Sequence, residues 1–340
     1  MSPTTVEQLE ELLSRPGEAD REAMRALGGD LLILGVGGKM GPSLALRASR
    51  AAKEAGADVR VIGVARFSSD AVRGQLEEGG VETIAGDLLD DNFLARLPDS
   101  PNVIHMAARK FGSTGDEPYT WAMNTYLPGR VACRYRNSRI VAFSSGNVYP
   151  LVPVTSGGAT EETPLEPVGE YAITAVGRER MFTHFSKLHG TPAAILRLNY
   201  AVEMRYGVLL DIGTKVFERK PVDLRMGNAN VIWQGDANSV CLRSFALCQS
   251  PPLVLNLTGP ETVSVRRTAN RFGQIFGVEP ILEGQEGQTA LLNNASRCHQ
   301  IFGYPTVSLN QVIEWTAAWI GSGGSTLNKP THFEARDGKF

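Results

Sequence analysis

The stretch Asp30-Leu-Leu-Ile-Leu-Gly35-Val-Gly37-Gly38-Lys39-Met40-Gly41 decides the fold of this chain. Four continuous apolar residues are typical of a parallel strand that is buried on both faces, and here they run into glycines and then into a helix-forming sequence. Gly35 permits a tight turn, Gly38 lets the backbone approach a pyrophosphate, and Gly41 makes room where the helix packs. The stretch therefore predicts a dinucleotide-binding turn, with an ordinary glycine-rich turn between strand and helix as the alternative.

Composition excludes several other classes of protein. The 340 residues have a net charge of −2, from 34 basic and 36 acidic side chains, so no global field attracts nucleic acid or an anionic membrane. No apolar run approaches the roughly 20 residues that span a bilayer. We therefore expect a cytoplasmic protein that binds neither nucleic acid nor membrane.

The four cysteines are scattered along the chain, without the spacing of a metal or redox motif. We expect Cys133, Cys241, Cys248 and Cys298 to be buried reduced thiols. Metal ligation by Cys298 and His299 is the less favoured alternative, because no second pair of ligands lies nearby in the sequence. We predict no metal site.

Residues 1–29 precede the first strand and contain two helical patterns. Thr4 and Glu7 form a capping box, and Pro16-Gly17 ends the first helix. A second helix is expected over about residues 19–27. The apolar stripe of this N-terminal extension needs a partner, which is either the main domain, as we favour, or another subunit.

Strands and helices alternate after the glycine turn, which predicts a Rossmann-type doubly wound parallel sheet over residues 30–203, with a returning segment at about 231–259. The end of the second strand selects the cofactor, because an acidic residue there binds ribose hydroxyls and an arginine accommodates a 2′-phosphate. Here the sequence reads Ala65-Arg66-Phe67-Ser68. We predict NAD(P) with a slight preference for NADP, the alternative being that Arg66 is a solvated surface residue.

Polar residues follow later strands at the carboxyl edge of the sheet, where such folds bind ligands. Ser145 ends a strand, and Tyr171 begins a helix. Together they could polarise one carbonyl or carbinol oxygen through a hydroxyl hydrogen bond and a phenol proton. Turn formation by the serine and packing by the tyrosine are the competing interpretations.

These features together resemble the extended short-chain dehydrogenase/reductase family, the NAD(P)-dependent epimerase/dehydratase group that acts largely on nucleotide sugars. The resemblance covers about residues 30–322 and rests on several motifs in order, namely Gly35/Gly38/Gly41, Gly86-Asp87-Leu88, His105 to Ala108, Asn124, Phe143 to Tyr149, Ile195 to Tyr200, Val231 to Asn238 and Pro305 to Leu309.

The resemblance implies a site residue by residue. The cofactor contacts are expected at Gly35, Gly38, Lys39, Met40, Gly41, Arg66, Asp87, Leu88, Ala107, Ala108, Asn124 and Tyr171. The catalytic residues would be Ser145 and Tyr171, and the substrate contacts Ser145, Asn147, Asn199 and Arg225.

The sequence departs from the family at one decisive position. The family's catalytic helix reads Tyr-x-x-x-Lys, but four residues after Tyr171 stands Ala175. The family's lysine makes the tyrosine a better base and holds the nicotinamide ribose, and an alanine does neither. Arg178 lies on the same helix and is a candidate substitute, although a guanidinium does not release a proton.

A smaller substrate domain, interleaved with the last strands, is expected over residues 204–230 and 260–322, followed by a flexible tail at 323–340. Trp315 and Trp319, four residues apart, are interpreted as a packed helix face, with ligand stacking as the alternative. The family also implies a homodimer through two helices, which carry the apolar residues Trp121, Met123, Tyr126, Met181, Phe182 and Phe185.

Two functions remain open from the sequence. The first is an NAD(P)-dependent epimerase, dehydratase or oxidoreductase that acts on a sugar, nucleotide sugar or related hydroxyl compound. The second is a dinucleotide-binding sensor or assembly subunit that has lost redox catalysis. Ser145 and Tyr171 favour the first, and Ala175 favours the second.

Overall fold

A computed structural model describes residues 2–110, 112, 115–329 and 331–338. The strands are β1 Leu31–Leu34, β2 Val61–Ala65, β3 Glu82–Ala85, β4 Asn102–His105, β5 Arg139–Ser145, β6 Val152–Pro153, β7 Ala193–Leu198, β8 Ala201–Val202, β9 Val222–Asp223, β10 Asn228–Ala229, β11 Ile232–Trp233, β12 Leu253–Leu257, β13 Val263–Ser264, β14 Leu282–Glu283 and β15 Thr289–Ala290.

The helices surround these strands. The α-helices are α1 Val6–Ser14, α2 Glu18–Leu27, α3 Gly41–Ala55, α4 Asp70–Glu78, α5 Asp91–Arg96, α6 Glu117–Trp121, α7 Leu127–Arg134, α8 Glu170–His189, α9 Val208–Phe217, α10 Gln234–Arg243, α11 Val265–Phe276, α12 Ser296–Phe302 and α13 Leu309–Gly321. None of the helices in the described residues is long and apolar enough to cross a membrane.

The central sheet has the order β12-β7-β5-β4-β1-β2-β3, and all its strand pairs are parallel. Leu31 and Ile33 of β1 pack into one apolar cluster, and Leu32 and Leu34 pack into another. Successive side chains of a strand point to opposite faces, so both faces of the sheet are buried under helices. The predicted Rossmann-type doubly wound sheet is confirmed.

The N-terminal helices pack on this core. Leu9 and Leu13 of α1 are fully buried, and α2 lies against α3. The cap of α1 differs from the prediction by one residue, because Thr5 accepts the hydrogen bond from Gln8 N and the Gln8 side chain accepts from Thr4 N. Thr4 and Glu7 therefore do not form the capping box.

The helix that contains Asn124 is interrupted before Pro128. A π-helical segment, Ala122–Tyr126, separates α6 from α7. Proline lacks the N–H that would bond to the carbonyl four residues earlier, so the regular α-helical pattern cannot continue through it. The irregularity before Pro128 thus appears as a change of helix type.

A third apolar cluster joins α9, α11 and α13, and includes Trp315 and Trp319 at 8% and 1% exposure. The interpretation of these tryptophans as a packed face is confirmed. The described part of the tail also packs here: Phe333 is 2% exposed, and Asp211 accepts hydrogen bonds from Thr331 N and Oγ1 at 2.9 and 2.5 Å. The expectation of a flexible tail is wrong for these residues, because an aromatic anchor follows the Gly/Ser-rich segment.

Candidate active site

The glycine turn between β1 and α3 is shaped by close backbone approaches. Gly35 has φ +95°, and a Cβ there would lie 2.5 Å from Ala107 N. A Cβ on Gly41 would lie 2.1 Å from Val36 O. A Cβ on Gly38 would meet only Gly35 O, at an ordinary 3.4 Å. The fold therefore requires glycine at positions 35 and 41, whereas at 38 the missing side chain leaves room beside the N-terminus of α3, as a bound phosphate group requires.

A cleft of about 580 Å³ runs from this turn along the carboxyl ends of β2, β3 and β4. Seven of the residues predicted to bind the cofactor line it, namely Gly35, Gly38, Arg66, Asp87, Leu88, Ala107 and Ala108. They come from four loops that are distant in the sequence, and the parallel sheet brings them to one edge. The size, the glycine turn and the position all fit a dinucleotide.

The side chains of two other predicted cofactor residues, Lys39 and Met40, contact other parts of the protein instead of the cleft. Lys39 Nζ donates to Ala201 O at 2.7 Å and lies 4.4 Å from the centroid of the Tyr206 ring. Met40 is 8% exposed and packs in the apolar core at the start of α3. The side chains of Lys39 and Met40 are therefore not placed in the cleft as predicted, because neighbouring protein groups already hold them.

Arg66 is exposed at the end of β2 and lines the cleft. Its Nη1 donates to the Tyr119 hydroxyl at 3.1 Å, and the Arg109 guanidinium lies 4.9 Å from the centroid of the Tyr119 ring. Two cations thus flank one phenol at this end of the cleft. Arg109 is paired with Asp116, so Arg66 is the guanidinium that this arrangement offers to an anionic group.

Asn124 is completely buried and ties two segments of the site together. Its Oδ1 accepts from Arg109 N at 2.8 Å, and its Nδ2 donates to Arg109 O at 2.8 Å and to Thr174 Oγ1 at 3.0 Å. These bonds use the whole capacity of an amide NH₂ group. The side chain therefore fixes the loop after β4 against α8 rather than facing the cleft.

Ser145 and Tyr171 lie on neighbouring elements. Ser145 ends β5 and accepts a hydrogen bond from Asn147 N at 3.2 Å, and Tyr171 lies in the first turn of α8, 8% exposed. The short 3₁₀ helix Gly146–Val148 after Ser145 packs against Ala175, one turn beyond Tyr171. The structure therefore brings together the two elements that carry the predicted catalytic residues.

A buried network of hydrogen bonds joins β5 to β7 and α8. Arg197 makes two hydrogen bonds to Glu179, at 2.9 and 2.7 Å, and Ser144 Oγ donates to Glu179 Oε1 at 2.6 Å. Arg197 Nη1 also donates to the Tyr149 hydroxyl. The network therefore holds Ser144, which directly precedes Ser145, and Tyr149, which follows it by four residues.

Apolar side chains enclose Ala175, the residue at the position of the family's lysine. Ala175 is 0% exposed and packs with Val148, Tyr149 and Ala159. The candidate substitute Arg178 is also buried, and its Nη1 donates to Phe143 O at 2.9 Å. Burial lowers the pKa of Arg178, while Tyr171 acts in the opposite direction. Arg178 thus supports the backbone of β5 from within the core.

Lys110 is a site residue that the sequence interpretation missed. It lines the cleft, and its Nζ lies 5.9 Å from the ring centroid of Tyr171 and 5.7 Å from that of Tyr200. Burial lowers the pKa of Lys110 to about 8, against the opposing effect of the Asp211 carboxylate. Its position two residues after Ala108, directly behind the cofactor segment, is the signal that points to it in the sequence.

The predicted substrate residues Asn147, Asn199 and Arg225 do not lie together around one site. Asn147 is half-buried beside Ser145, but Asn199 is 2% exposed and donates to Asn293 Oδ1 at 3.2 Å. Arg225 has 71% of its side chain exposed and pairs with Asp223 at 2.6 Å. Asn199 is thus an interior residue, and Arg225 is a surface residue. Neither is among the residues that line the cleft.

The described residues contain no group of three or more His, Cys, Asp or Glu side chains that could hold a metal ion. The four cysteines are unpaired. Burial raises the pKa of Cys248 and of Cys298 to about 12, so both thiols stay protonated at neutral pH. Contrary to prediction, Cys133 is exposed, because it lines an open groove between α7 and α8, and Cys248 is only half-buried.

Comparison with known proteins gives a consistent result. The sequence model of the family described as "NAD dependent epimerase/dehydratase family" matches residues 31–202. A comparison with curated proteins found no match.

Solved structures resemble the whole fold at low sequence identity. A UDP-glucuronic acid 4-epimerase mutant from Bacillus cereus, in complex with a fluorinated UDP-glucuronic acid and NAD, has a TM-score of 0.73 at 18% identity, with 86% of this chain and 99% of the other covered. A UDP-glucose 4-epimerase from Thermotoga maritima with UDP-glucose has a TM-score of 0.70 at 17% identity, covering 86% and 99%. An epimerase from Methanothermobacter thermautotrophicus has a TM-score of 0.70 at 20% identity, covering 89% and 96%.

Proposed function

Because the chain belongs to the NAD-dependent epimerase/dehydratase family, we propose that it is an NAD(P)-dependent epimerase, dehydratase or oxidoreductase. Its substrate is a sugar, a nucleotide sugar or a related hydroxyl compound. The observation that carries the proposal is the glycine-lined cleft, which extends to Lys110, whose Nζ lies 5.9 Å from the ring centroid of Tyr171. Ser145 ends β5, the strand beside the α8 helix that carries Tyr171. The structural neighbours whose titles name UDP-sugars support this substrate class.

Residues on three elements hold the cofactor in this proposal. The backbone at Gly35 and Gly38 and the N-terminus of α3 receive the pyrophosphate, and Asp87 and Leu88 flank the adenosine. Ala107 and Ala108 form the wall beside the nicotinamide half. When bound, the cofactor supplies the acceptor or donor of a hydride.

The protein's own part in the chemistry is to hold and move a proton. Ser145 donates its hydroxyl hydrogen bond to the reacting oxygen of the substrate, and Tyr171 exchanges a proton with that same oxygen. Low exposure of both residues keeps water away from the reacting atoms. Ser145 therefore stabilises the oxygen, and Tyr171 acts as its acid and base.

We also propose a preference for NADP over NAD. Arg66 lies at the end of β2, where a 2′-phosphate on the adenosine ribose is recognised in this fold, and its bond to Tyr119 orients the guanidinium. Arg109 lies on the other side of Tyr119, but its charge is paired with Asp116, so the preference rests on Arg66.

The quaternary state we propose is a homodimer. An apolar groove of about 700 Å³ lies between α7 and α8 and is lined by Trp121, Tyr126, Gly129, Cys133, Met181 and Phe185, among others. Trp121 and Tyr126 are 41% and 54% exposed. A second copy of these helices would cover this surface by two-fold symmetry.

The unpaired cysteines support a reducing location, and we propose the cytoplasm.

One observation favours a second candidate, a dinucleotide-binding subunit without redox turnover: Ala175 stands where the family has its lysine, and the site around it is closed. One experiment separates the two. The purified protein is loaded with NADPH or NADP⁺, and absorbance at the reduced-nicotinamide band is followed while sugars and sugar nucleotides are added, with chromatography of the products to detect epimers. A change that Tyr171→Phe abolishes supports the enzyme, and cofactor binding without any change or product supports the binding subunit.

A further inference from the structure

The helix that carries Tyr171 has no place for an ammonium group one turn further on. Ala175 is enclosed by Val148, Tyr149 and Ala159, all of them buried. A longer charged side chain at that position would have to enter an apolar cluster, where a charge is strongly disfavoured. A positive charge in contact with the Tyr171 ring must therefore come from another element, because Arg178, the buried cation further along α8, donates to Phe143 O.

Lys110 reaches Tyr171 from the segment that follows β4. Its Nζ lies 5.9 Å from the Tyr171 ring centroid and 5.7 Å from that of Tyr200. Both distances are within the ~6 Å over which an aromatic face attracts a cation. Two aromatic rings thus flank one ammonium group at the end of the cleft where the predicted chemistry takes place.

A chain of hydrogen bonds fixes the backbone next to Lys110 relative to Tyr171. Asn124 binds both the N–H and the carbonyl of Arg109 and also donates to Thr174 Oγ1. Thr174 Oγ1 in turn donates to Tyr171 O at 2.9 Å. The position of Lys110 is therefore set by the same buried side chains that set the first turn of α8.

We propose that Lys110 supplies, from the loop after β4, the positive charge that α8 lacks at Ala175, and thereby stabilises the deprotonated form of Tyr171. This inference rests on the proposed role of Tyr171 in proton exchange. Lys110 acts through Tyr171 and is a positioning residue in this sense.

Several other titratable groups surround the pair. Tyr200 in the loop after β7, Tyr206 in the turn between β8 and α9, and Asp211 on α9 face Lys110 and Tyr171. Arg178 faces them from α8. Burial raises the pKa of both Tyr200 and Tyr206, so these phenols stay neutral where Lys110 titrates. With a pKa of about 8, Lys110 is charged at neutral pH and loses its charge above that value.

The first test compares pH profiles of kcat/KM for the NADP(H)-loaded enzyme. Lys110→Met should lower the rate near neutral pH by about tenfold, which corresponds to one pKa unit. The difference from wild type should shrink above about pH 8, where Lys110 itself is neutral. Lys110→Arg should keep the neutral rate and extend it to higher pH, because a guanidinium does not deprotonate there.

Lys187→Met is the matched control, since Lys187 is exposed near the far end of α8. Its profile should match that of wild type. If Lys110→Met also leaves the profile unchanged, the proposal is overturned.

The second test needs no turnover. Tyrosinate absorbance is titrated in the full chain, and the signal of Tyr171 is obtained by subtracting Tyr171→Phe, once in Lys110→Arg and once in Lys110→Met. The arginine keeps its charge where a phenol titrates, so the Tyr171 signal should appear at lower pH by about one unit in Lys110→Arg than in Lys110→Met. Equal titration in these two backgrounds overturns the proposal whatever the activity. A protein without turnover on any substrate would contradict the proposed function, while this titration would still decide the role of Lys110.

Discussion

Asp20 and Arg47 form a buried ion pair that joins the N-terminal extension to the helix after the glycine turn. Arg47 Nε and Nη2 donate to Asp20 Oδ2 at 3.0 and 2.6 Å, and the two side chains are 10% and 1% exposed for Arg47 and Asp20. Ser239 Oγ donates to the other carboxylate oxygen at 2.6 Å. One carboxylate thus holds α2, α3 and α10 together.

Removing that carboxylate should destabilise the protein strongly. Asp20→Ala leaves the Arg47 charge buried without its partner, and we expect the free energy of unfolding to fall by ~3–5 kcal/mol. The control is Glu18→Ala, which breaks exposed pairs with Arg21 and Arg25 on the same helix and should cost less than about 1 kcal/mol. Urea denaturation measures both, and similar losses would contradict the structural role of the buried pair.

Two glycine substitutions should separate folding from cofactor binding. Gly38→Ala adds a Cβ that meets only an ordinary contact at 3.4 Å, so stability should change by less than about 1 kcal/mol. NADPH affinity should drop at least about tenfold, because the methyl group enters the space beside the start of α3. Gly41→Ala brings a Cβ to 2.1 Å from Val36 O and should impair folding itself. Thermal melts and fluorescence titration report the two effects, and unchanged affinity in a folded Gly38→Ala protein would count against the proposed pyrophosphate site.

The preference for NADP depends on Arg66. Arg66→Ala should weaken NADPH binding by roughly 1.5–3 kcal/mol, the value of hydrogen bonds to a charged group, and leave NADH binding nearly unchanged. Arg60→Ala is the control, since Arg60 precedes the same strand at its opposite end and pairs with Asp30. Calorimetry with both cofactors measures the effect. Equal affinity of the unmutated protein for NADPH and NADH would reject the preference.

The apolar groove between α7 and α8 should be the dimer contact. Met181→Glu places a charge in the centre of this groove and should shift the protein to a monomer at micromolar concentration. Leu188→Glu, on the same helix but with a 60% exposed side chain outside the groove, should remain a dimer. Light scattering distinguishes the two states, and a monomeric wild type would rule the contact out.

Lys39 should make stability depend on pH. Burial lowers the pKa of Lys39 to about 7, although Glu203 opposes the shift. The folded state therefore binds this proton more weakly than the unfolded state does. The buried charge of Lys39 lowers the free energy of unfolding by its full amount below about pH 7, and this loss disappears as the pH rises towards about 10. Lys39→Met should thus gain more stability, relative to wild type, at about pH 6 than at about pH 9. A difference that is constant in urea melts across this range would show that Lys39 keeps an ordinary affinity for its proton.

Much of the fold was predictable because its signals are local. The run Leu31 to Leu34 requires burial on both faces, and Gly35 and Gly41 mark backbone approaches that a side chain would block. Such features depend on a few neighbouring residues, and a sequence shows them directly. The cleft followed from the same argument, since parallel strands bring their carboxyl ends to one edge.

The finer geometry of the site depends on contacts between distant parts of the chain. Lys110 meets Tyr171, 61 positions later in sequence, only because Asn124 fastens the intervening loop to α8. Asn199 was expected in the substrate site, but Asn293, 94 residues away, binds its side chain in the interior. No local pattern encodes either contact, because each joins segments that only the folded chain brings together.

The last described residues of the chain complete the walls of the site. Lys329 lines the cofactor cleft, and a Cβ on Gly169, two residues before Tyr171, would lie 2.4 Å from Gly338 O. The edge strand β12 and the Ser239 partner of Asp20 also come late in the sequence. During synthesis on the ribosome, β1 and the glycine turn therefore emerge long before the segments that enclose them. The cleft wall at Lys329 is therefore added only near the end of synthesis, after every strand of the central sheet has been made.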